Sequence, residues 1–191
     1  RDPNLMTMGS GAIRGDGEIV GIAVAVEGWS GYFPIAHEAG GNMDRGLVLD
    51  WFEEVLHTDA TKIFHNAMYD VSWIRSLGFQ IRGGIIDTMI AASLINENRF
   101  SFTLDSISKE YIGMGKNEKT LAEAAKAWGV NPKADMWRLP APLVGEYAER
   151  DAEVTLKLWQ AMKHEITQQD LWDIFNLETN LFPCLVDMKF K

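Results

Sequence analysis

One cysteine, Cys184, occurs in 191 residues. A lone thiol has no partner for an internal disulfide, so the fold must be held by its core rather than by covalent bridges. That usage suits a reducing cytoplasm, and Cys184 itself is expected as a small apolar core residue. No run of 18 or more apolar residues occurs, so no membrane-spanning helix and no membrane partner is expected. The first residues do not read as a signal peptide. Basic charge is short too: 18 Lys and Arg stand against 27 Asp and Glu, a net charge of −9. A protein that gripped nucleic acid by neutralising phosphates alone would be basic. Either there is no nucleic-acid partner, or bound metal cations supply the positive charge locally. The four histidines, His37, His57, His65 and His164, show no metal-ligand spacing. Gly113-Met114-Gly115-Lys116 is not a phosphate loop, because Asn117 follows the lysine and the leading glycine is misplaced.

What is present reads as one soluble α/β domain. Hydrophobic residues make up 47% and charged residues 24%, enough for a substantial core. Residues 19–26 (IVGIAVAV) form a β-branched run, hence a buried strand. Gly28 to Gly31 turn the chain into a second strand from Tyr32, giving a hairpin. After Asp44, apolar residues from Leu47 to Leu56 recur with helical period. Residues 62–64 are a short strand, followed by a helix that Gly78 stops. Residues 85–87 are another strand, and a helix starts at Thr88. From Leu104 the pattern is helical, broken at Gly113, Gly129, Pro132 and Pro140-Ala141-Pro142. The seven tryptophans are expected mostly on apolar helix faces, with Trp137 in a loop. The layout is a mixed sheet flanked by helices.

Two clusters carry chemistry. His65-Asn66-Ala67-Met68-Tyr69-Asp70 sits at the carboxyl end of a strand, where α/β proteins place ligands. Taken alone, these residues are better explained by a helix cap at Asn66 and a favourable first-turn charge at Asp70. Tyr147-Ala148-Glu149-Arg150-Asp151-Ala152 puts Tyr147 and Asp151 four apart on one face of a helix. A phenol beside a carboxylate suits a metal-activated water: the carboxylate holds the cation and the phenol fixes the nucleophile. An amphipathic helix with an ordinary surface aspartate is the plain alternative.

Each cluster alone is weak. Their order, with Asp87-Thr88 at a strand end between them, resembles the DEDD family of 3′–5′ exonucleases, tyrosine subtype, with its ribonuclease-H-like fold. The nearest likeness is to the proofreading domain of family A DNA polymerases, phage-type. It runs through residues 32–37, 64–70, 87–89 and 146–152, and residues 177–188 look like the approach to a polymerase domain, so about 170–191 is read as leading there. The resemblance implies hydrolysis of the 3′-terminal phosphodiester of single-stranded DNA by two Mg²⁺ or Mn²⁺ ions, next to a polymerase domain in cis. It implies a cytoplasmic setting, as for a phage protein in its bacterial host. It makes Asp70 and Asp151 metal ligands, Tyr147 the residue that positions water, Asn66 and Tyr69 neighbours of the terminal nucleotide, and Arg99 a phosphate contact.

The family's Asp-x-Glu pair, on the first and central strand, is not found. Asp16-Gly17-Glu18 lies in a turn and Asp151-Ala152-Glu153 is already the third motif. Residues 1–5 look like the segment just after the missing pair, so truncation is expected and this chain may be expected to be inactive by itself. The alternative function is a non-catalytic, DNA-guiding domain of the same fold; an RNA-processing exonuclease is more remote. The missing strand would lie between residues 19–26 and 62–64. Residues 1–8 folding back, a second chain, or upstream residues would fill that gap, the last two being favoured. Direct pairing of the two flanking strands would refute the topology.

Overall fold

The computed structural model describes all residues except Pro3, 116–118 and 132–133. The Lys116 and Asn117 of the rejected phosphate loop, and the Pro132 break, therefore lie outside the described residues. In chain order the elements are α1 (Leu5–Met8), α2 (Gly11–Arg14), β1 (Gly21–Val26), β2 (Trp29–Pro34), α3 (Arg45–Leu56), β3 (Lys62–Phe64), α4 (Ala67–Ser76), β4 (Ile85–Asp87), α5 (Thr88–Ile95), α6 (Leu104–Ile112), α7 (Lys119–Ala127), a 3₁₀ turn (Met136–Arg138), α8 (Ala141–Gln168) and α9 (Trp172–Lys189). They form two compact units. One comprises residues 1–55 and 116–153, the other residues 56–115 and 154–191.

The first unit is built on the antiparallel β1–β2 hairpin, with Val26 opposite Trp29. The turn is Glu27-Gly28, and Gly28 takes φ 80°, which a side chain would resist. The strand thus begins at Trp29, earlier than the glycine pattern suggests. Gly31 is strand, not turn: the Trp29 indole lies over it, where a Cβ would come within 2.5 Å. Ile22, Ile35 and Val48 form a core with Phe33 and Phe52 around them. The outer edge of β2 meets α8 through acidic side chains. The Tyr32 amide donates to Glu149 at 3.0 Å and the Ser30 hydroxyl to Glu153 at 2.7 Å. His37 is buried between the Leu139 carbonyl, which accepts from Nδ1 at 2.9 Å, and the Tyr32 hydroxyl, 2.7 Å from Nε2. A carbonyl can only accept, so Nδ1 carries the proton and Nε2 receives the phenol's. Burial holds the imidazole below its ordinary pKa, keeping it neutral.

Among the described residues of 1–8 there is no strand. Residues Leu5–Met8 close a helical turn, Met8 N–H on the Asn4 carbonyl at 2.8 Å. The buried Asp2 carboxylate then fastens the segment, accepting from Gly11 N–H at 2.8 Å and from Arg14 at 3.2 Å. Local partners satisfy these polar groups, so the segment is not available to the edge of β1. Among the described residues β1 pairs with β2 only, and β3 with β4 only. The direct β1–β3 pairing that would have refuted the topology is absent among them.

In the second unit β3 and β4 are parallel, Phe64 opposite Asp87. Short strands suffice because helices cover them. Ala91, Ala92, Leu104, Ile107, Val154, Leu158, Met162 and Phe175 are buried together, drawing on α5, α6, the later turns of α8, and α9. A second cluster joins Ala67 and Val71 of α4 to Phe182 and Val186 of α9. Cys184 is exposed, contrary to its expected core role. At about 100° per residue it sits far round α9 from the buried Phe175, Phe182 and Val186. Trp29 and Trp128 are also half exposed, against the expectation of core packing.

Candidate active site

Three of the sequence-predicted residues share one turn. β3 ends at Phe64 and α4 begins at Ala67. Between them Asn66 adopts a left-handed conformation, φ 64° and ψ 55°, which asparagine tolerates better than most residues. Its side chain does not cap α4, contrary to the simple reading of Asn66. The cap comes from across the parallel pair. The buried Asp87 carboxylate accepts from Asn66 N–H at 2.9 Å, Ala67 N–H at 2.8 Å and Met89 N–H at 2.9 Å. One carboxylate therefore starts two helices, α4 and α5, and frees the exposed Asn66 side chain for another use. The Asp87-Thr88 pair is visible in the sequence, but its reach to the other strand is not.

Asp70 stands in the first turn of α4. Burial, with the repulsion of the Asp87 charge added, pushes its carboxyl up to about 7. The folded chain thus holds a proton on Asp70 that the unfolded chain releases near the ordinary carboxylate pKa of about 3.9. Because the folded pKa is raised, the cost of the ionised group is fully present above about pH 7 and is relieved as pH falls towards 4. Asp70→Asn is therefore expected to stabilise the protein at pH 8 and to do little at pH 4. Three pKa units set a ceiling near 4 kcal/mol; partial exposure brings the expected gain to about 1–3 kcal/mol. Urea denaturation at the two pH values checks this, and an equal effect at both would contradict it.

Tyr69, beside Asp70, is 37% exposed and meets Trp73 edge-on at 6.3 Å. His65 ties this turn to its surroundings: Nδ1 lies 2.9 Å from the Thr88 hydroxyl and Nε2 2.9 Å from the Phe102 carbonyl. The loop of residues 96–103 is thereby fastened to the turn. Arg99, in that loop, makes a two-pronged bridge to Glu110 at 2.7 and 2.6 Å and is almost fully buried. Its guanidinium is committed to Glu110. Its neighbour Phe100 is wholly exposed, a feature the sequence reading missed because nothing in the sequence distinguishes it from a core phenylalanine.

Tyr147 and Asp151 lie one turn apart on α8, in the first unit. Both are partly buried. Tyr147 packs against Leu121, Ala125, Leu139 and Val144. It also lines a cavity of about 350 Å³ with Leu143, Glu146, Glu149, Arg150 and Glu153. Asn66, Tyr69, Asp70 and Arg99 thus belong to one unit, Tyr147 and Asp151 to the other.

A family model described as 3′-5′ exonuclease matches residues 7–167, a span that holds all six predicted site residues. The chain belongs to the 3′–5′ exonuclease family of family A DNA polymerases. It is 37% identical over 199 aligned residues to a DNA-directed DNA polymerase of Pseudomonas phage M6, covering 99% of this chain and 29% of that protein. It is 30% identical to the DNA polymerase DpoZ of Salmonella phage PMBT28, over 87% of this chain and 27% of that protein. The chain thus spans under a third of the length of these relatives. Among solved structures, one described as the apo form of the nuclease aligns with TM-score 0.61 at 17% identity, covering 85% of this chain and 70% of that one. This likeness fixes the fold as the mixed α/β, ribonuclease-H-like exonuclease fold.

Members of this exonuclease family generally depend on divalent metal ions. Among the described residues, no three His, Cys, Asp or Glu side chains converge to hold one. Asp87, the carboxylate whose charge Asp70 feels, already accepts from three amides. The donors described do not make a metal centre by themselves. Calorimetric titration of this chain with Mn²⁺ is accordingly expected to show weak binding; two tight sites would contradict it. No helix among the described residues is long and apolar enough to cross a membrane.

Proposed function

We infer that this chain is the proofreading module of a DNA polymerase. Within the intact polymerase it takes the 3′ end of single-stranded DNA and hydrolyses the terminal phosphodiester. The observation that carries this reading is Asp70: a carboxylate pushed up to about 7 by burial, on a turn that Asp87 organises with three hydrogen bonds. A carboxylate whose ionised form is penalised by its surroundings costs stability at neutral pH and above, and such groups concentrate at functional sites. Asp70 and Asp151 are each a carboxylate that this chain offers to a divalent cation, Mg²⁺ or Mn²⁺. Tyr147 presents a phenol one turn from Asp151 and orients the attacking water. Asn66 and the half-open ring of Tyr69 face the terminal nucleotide, and Arg99 contacts a phosphate only by leaving its bridge to Glu110. The polymerase domain acts in the same polypeptide, in the cytoplasm of a phage's bacterial host.

The vestigial, DNA-guiding reading draws on the Asp-x-Glu pair that the sequence does not show; the cost of burying Asp70 beside Asp87 weighs against it. The test is polarity. The polymerase carrying this chain, given Mg²⁺ and end-labelled single-stranded DNA, is expected to release mononucleotides from the 3′ end and to stop when the metal is chelated. Intact label after prolonged incubation would overturn the reading.

A further inference from the structure

The last helix has two apolar faces. Phe175, Phe182 and Val186 are buried, at 2–3% exposure. Ile174, Leu177, Leu181, Leu185 and Met188 form a second row, exposed by 37, 62, 46, 38 and 67%. At about 100° per residue these five fall within an arc of roughly 80°. Ile174, Leu177, Leu181, Cys184 and Met188 follow alternating steps of three and four residues, the spacing of a seam against another helix, and Leu185 flanks them. Isolated exposed leucines need no explanation, but a continuous apolar row of this length marks an interaction surface.

The comparisons say which partner fits. The exonuclease match ends at residue 167, so α9 lies beyond it. The match to the phage M6 polymerase covers 99% of the chain and so takes in nearly all of α9. The helix is thus shared with polymerases although it is not part of the exonuclease pattern, and the chain makes up only 29% of that relative. A second copy of this chain is a poorer partner, since each copy carries a net charge of −9 and the two repel.

We propose that the outer row of α9, from Ile174 to Met188, is the seat for a helix of the polymerase domain in the same polypeptide. The proposal rests on the reading of the chain as a polymerase module. Docking there joins the exonuclease unit to the polymerase through a helix whose inner face already holds α4, by Phe182 and Val186 against Ala67 and Val71. The chain thereby couples the turn bearing Asp70 to its neighbour by a single element.

Cys184, within the row, reports its cover. In the intact polymerase, alkylation by a bulky maleimide, read on the Cys184 peptide by mass spectrometry, is expected to be at least about tenfold slower than in the urea-unfolded protein. The double substitution Leu177→Asp and Leu181→Asp touches only exposed positions and is expected to restore fast alkylation. Wild-type Cys184 reacting as fast as in urea overturns the proposal. Protection that disappears on dilution, with the sedimenting mass halving, assigns the row to a second copy and overturns it too. Excision assays on the same samples separate the two readings. Excision with an uncovered Cys184 removes this proposal alone, while a covered Cys184 without excision removes the exonuclease reading alone.

Discussion

Asp151→Ala is expected to abolish 3′ excision in the intact polymerase, lowering turnover by about a thousandfold or more, equivalent to roughly 4 kcal/mol of barrier. On the reading proposed above, Asp151 is one of the two motif carboxylates offered to the metal. Its position on α8 is set by packing on either side, Val144 and Leu139 before it and Val154 and Leu158 after it. The side chain is therefore presented by a rigid element, and the acids two residues to either side, Glu149 and Glu153, lie on the opposite side of the helix, held by Tyr32 and Ser30. Tyr147→Phe is the companion experiment. It removes one hydroxyl and keeps the ring against Leu121 and Val144. It should lower turnover by about ten- to a hundredfold while single-stranded DNA binding is unchanged. Normal excision by Asp151→Ala would show that this helix does not carry the chemistry.

Asp87→Ala should have the largest effect on stability. Three backbone amides lose their acceptor at once, and the Ala67 amide among them is fully buried. Unmade buried hydrogen bonds cost about 1–3 kcal/mol each, so a loss of roughly 3–6 kcal/mol is expected. That is a large share of a total stability of about 5–15 kcal/mol. Asp87→Asn keeps one carbonyl oxygen and should recover part of the loss. The damage should also spread: with the cap gone, Asn66 has no reason to hold its left-handed conformation, and Tyr69 and Asp70 lose their setting. Urea midpoints for the wild type and both variants decide the matter; an unchanged midpoint for Asp87→Ala would mean the three hydrogen bonds do not hold the turn.

The family and the order of its motifs were written in the sequence. Asn66 to Asp70 after a strand, Asp87-Thr88 at a strand end, and Tyr147 with Asp151 on a late helix are local patterns, set by strand and helix periods that need no tertiary knowledge. The same holds for the β1–β2 hairpin and for the end of α4 at Gly78. The division of labour among similar residues was decided elsewhere. The motifs show three aspartates, Asp70, Asp87 and Asp151; only the parallel pairing of β3 with β4 turns Asp87 into the cap of two helices and leaves Asp70 to bear the cost of burial. The sequence shows leucines along α9, and only packing separates the buried face from the open one. Cys184 was misplaced for the same reason. A short apolar side chain suits a core, but which face of a helix meets the core depends on neighbours distant in the chain. Periodicity is a property of a segment, whereas burial, charge state and hydrogen-bond partners belong to the assembled fold.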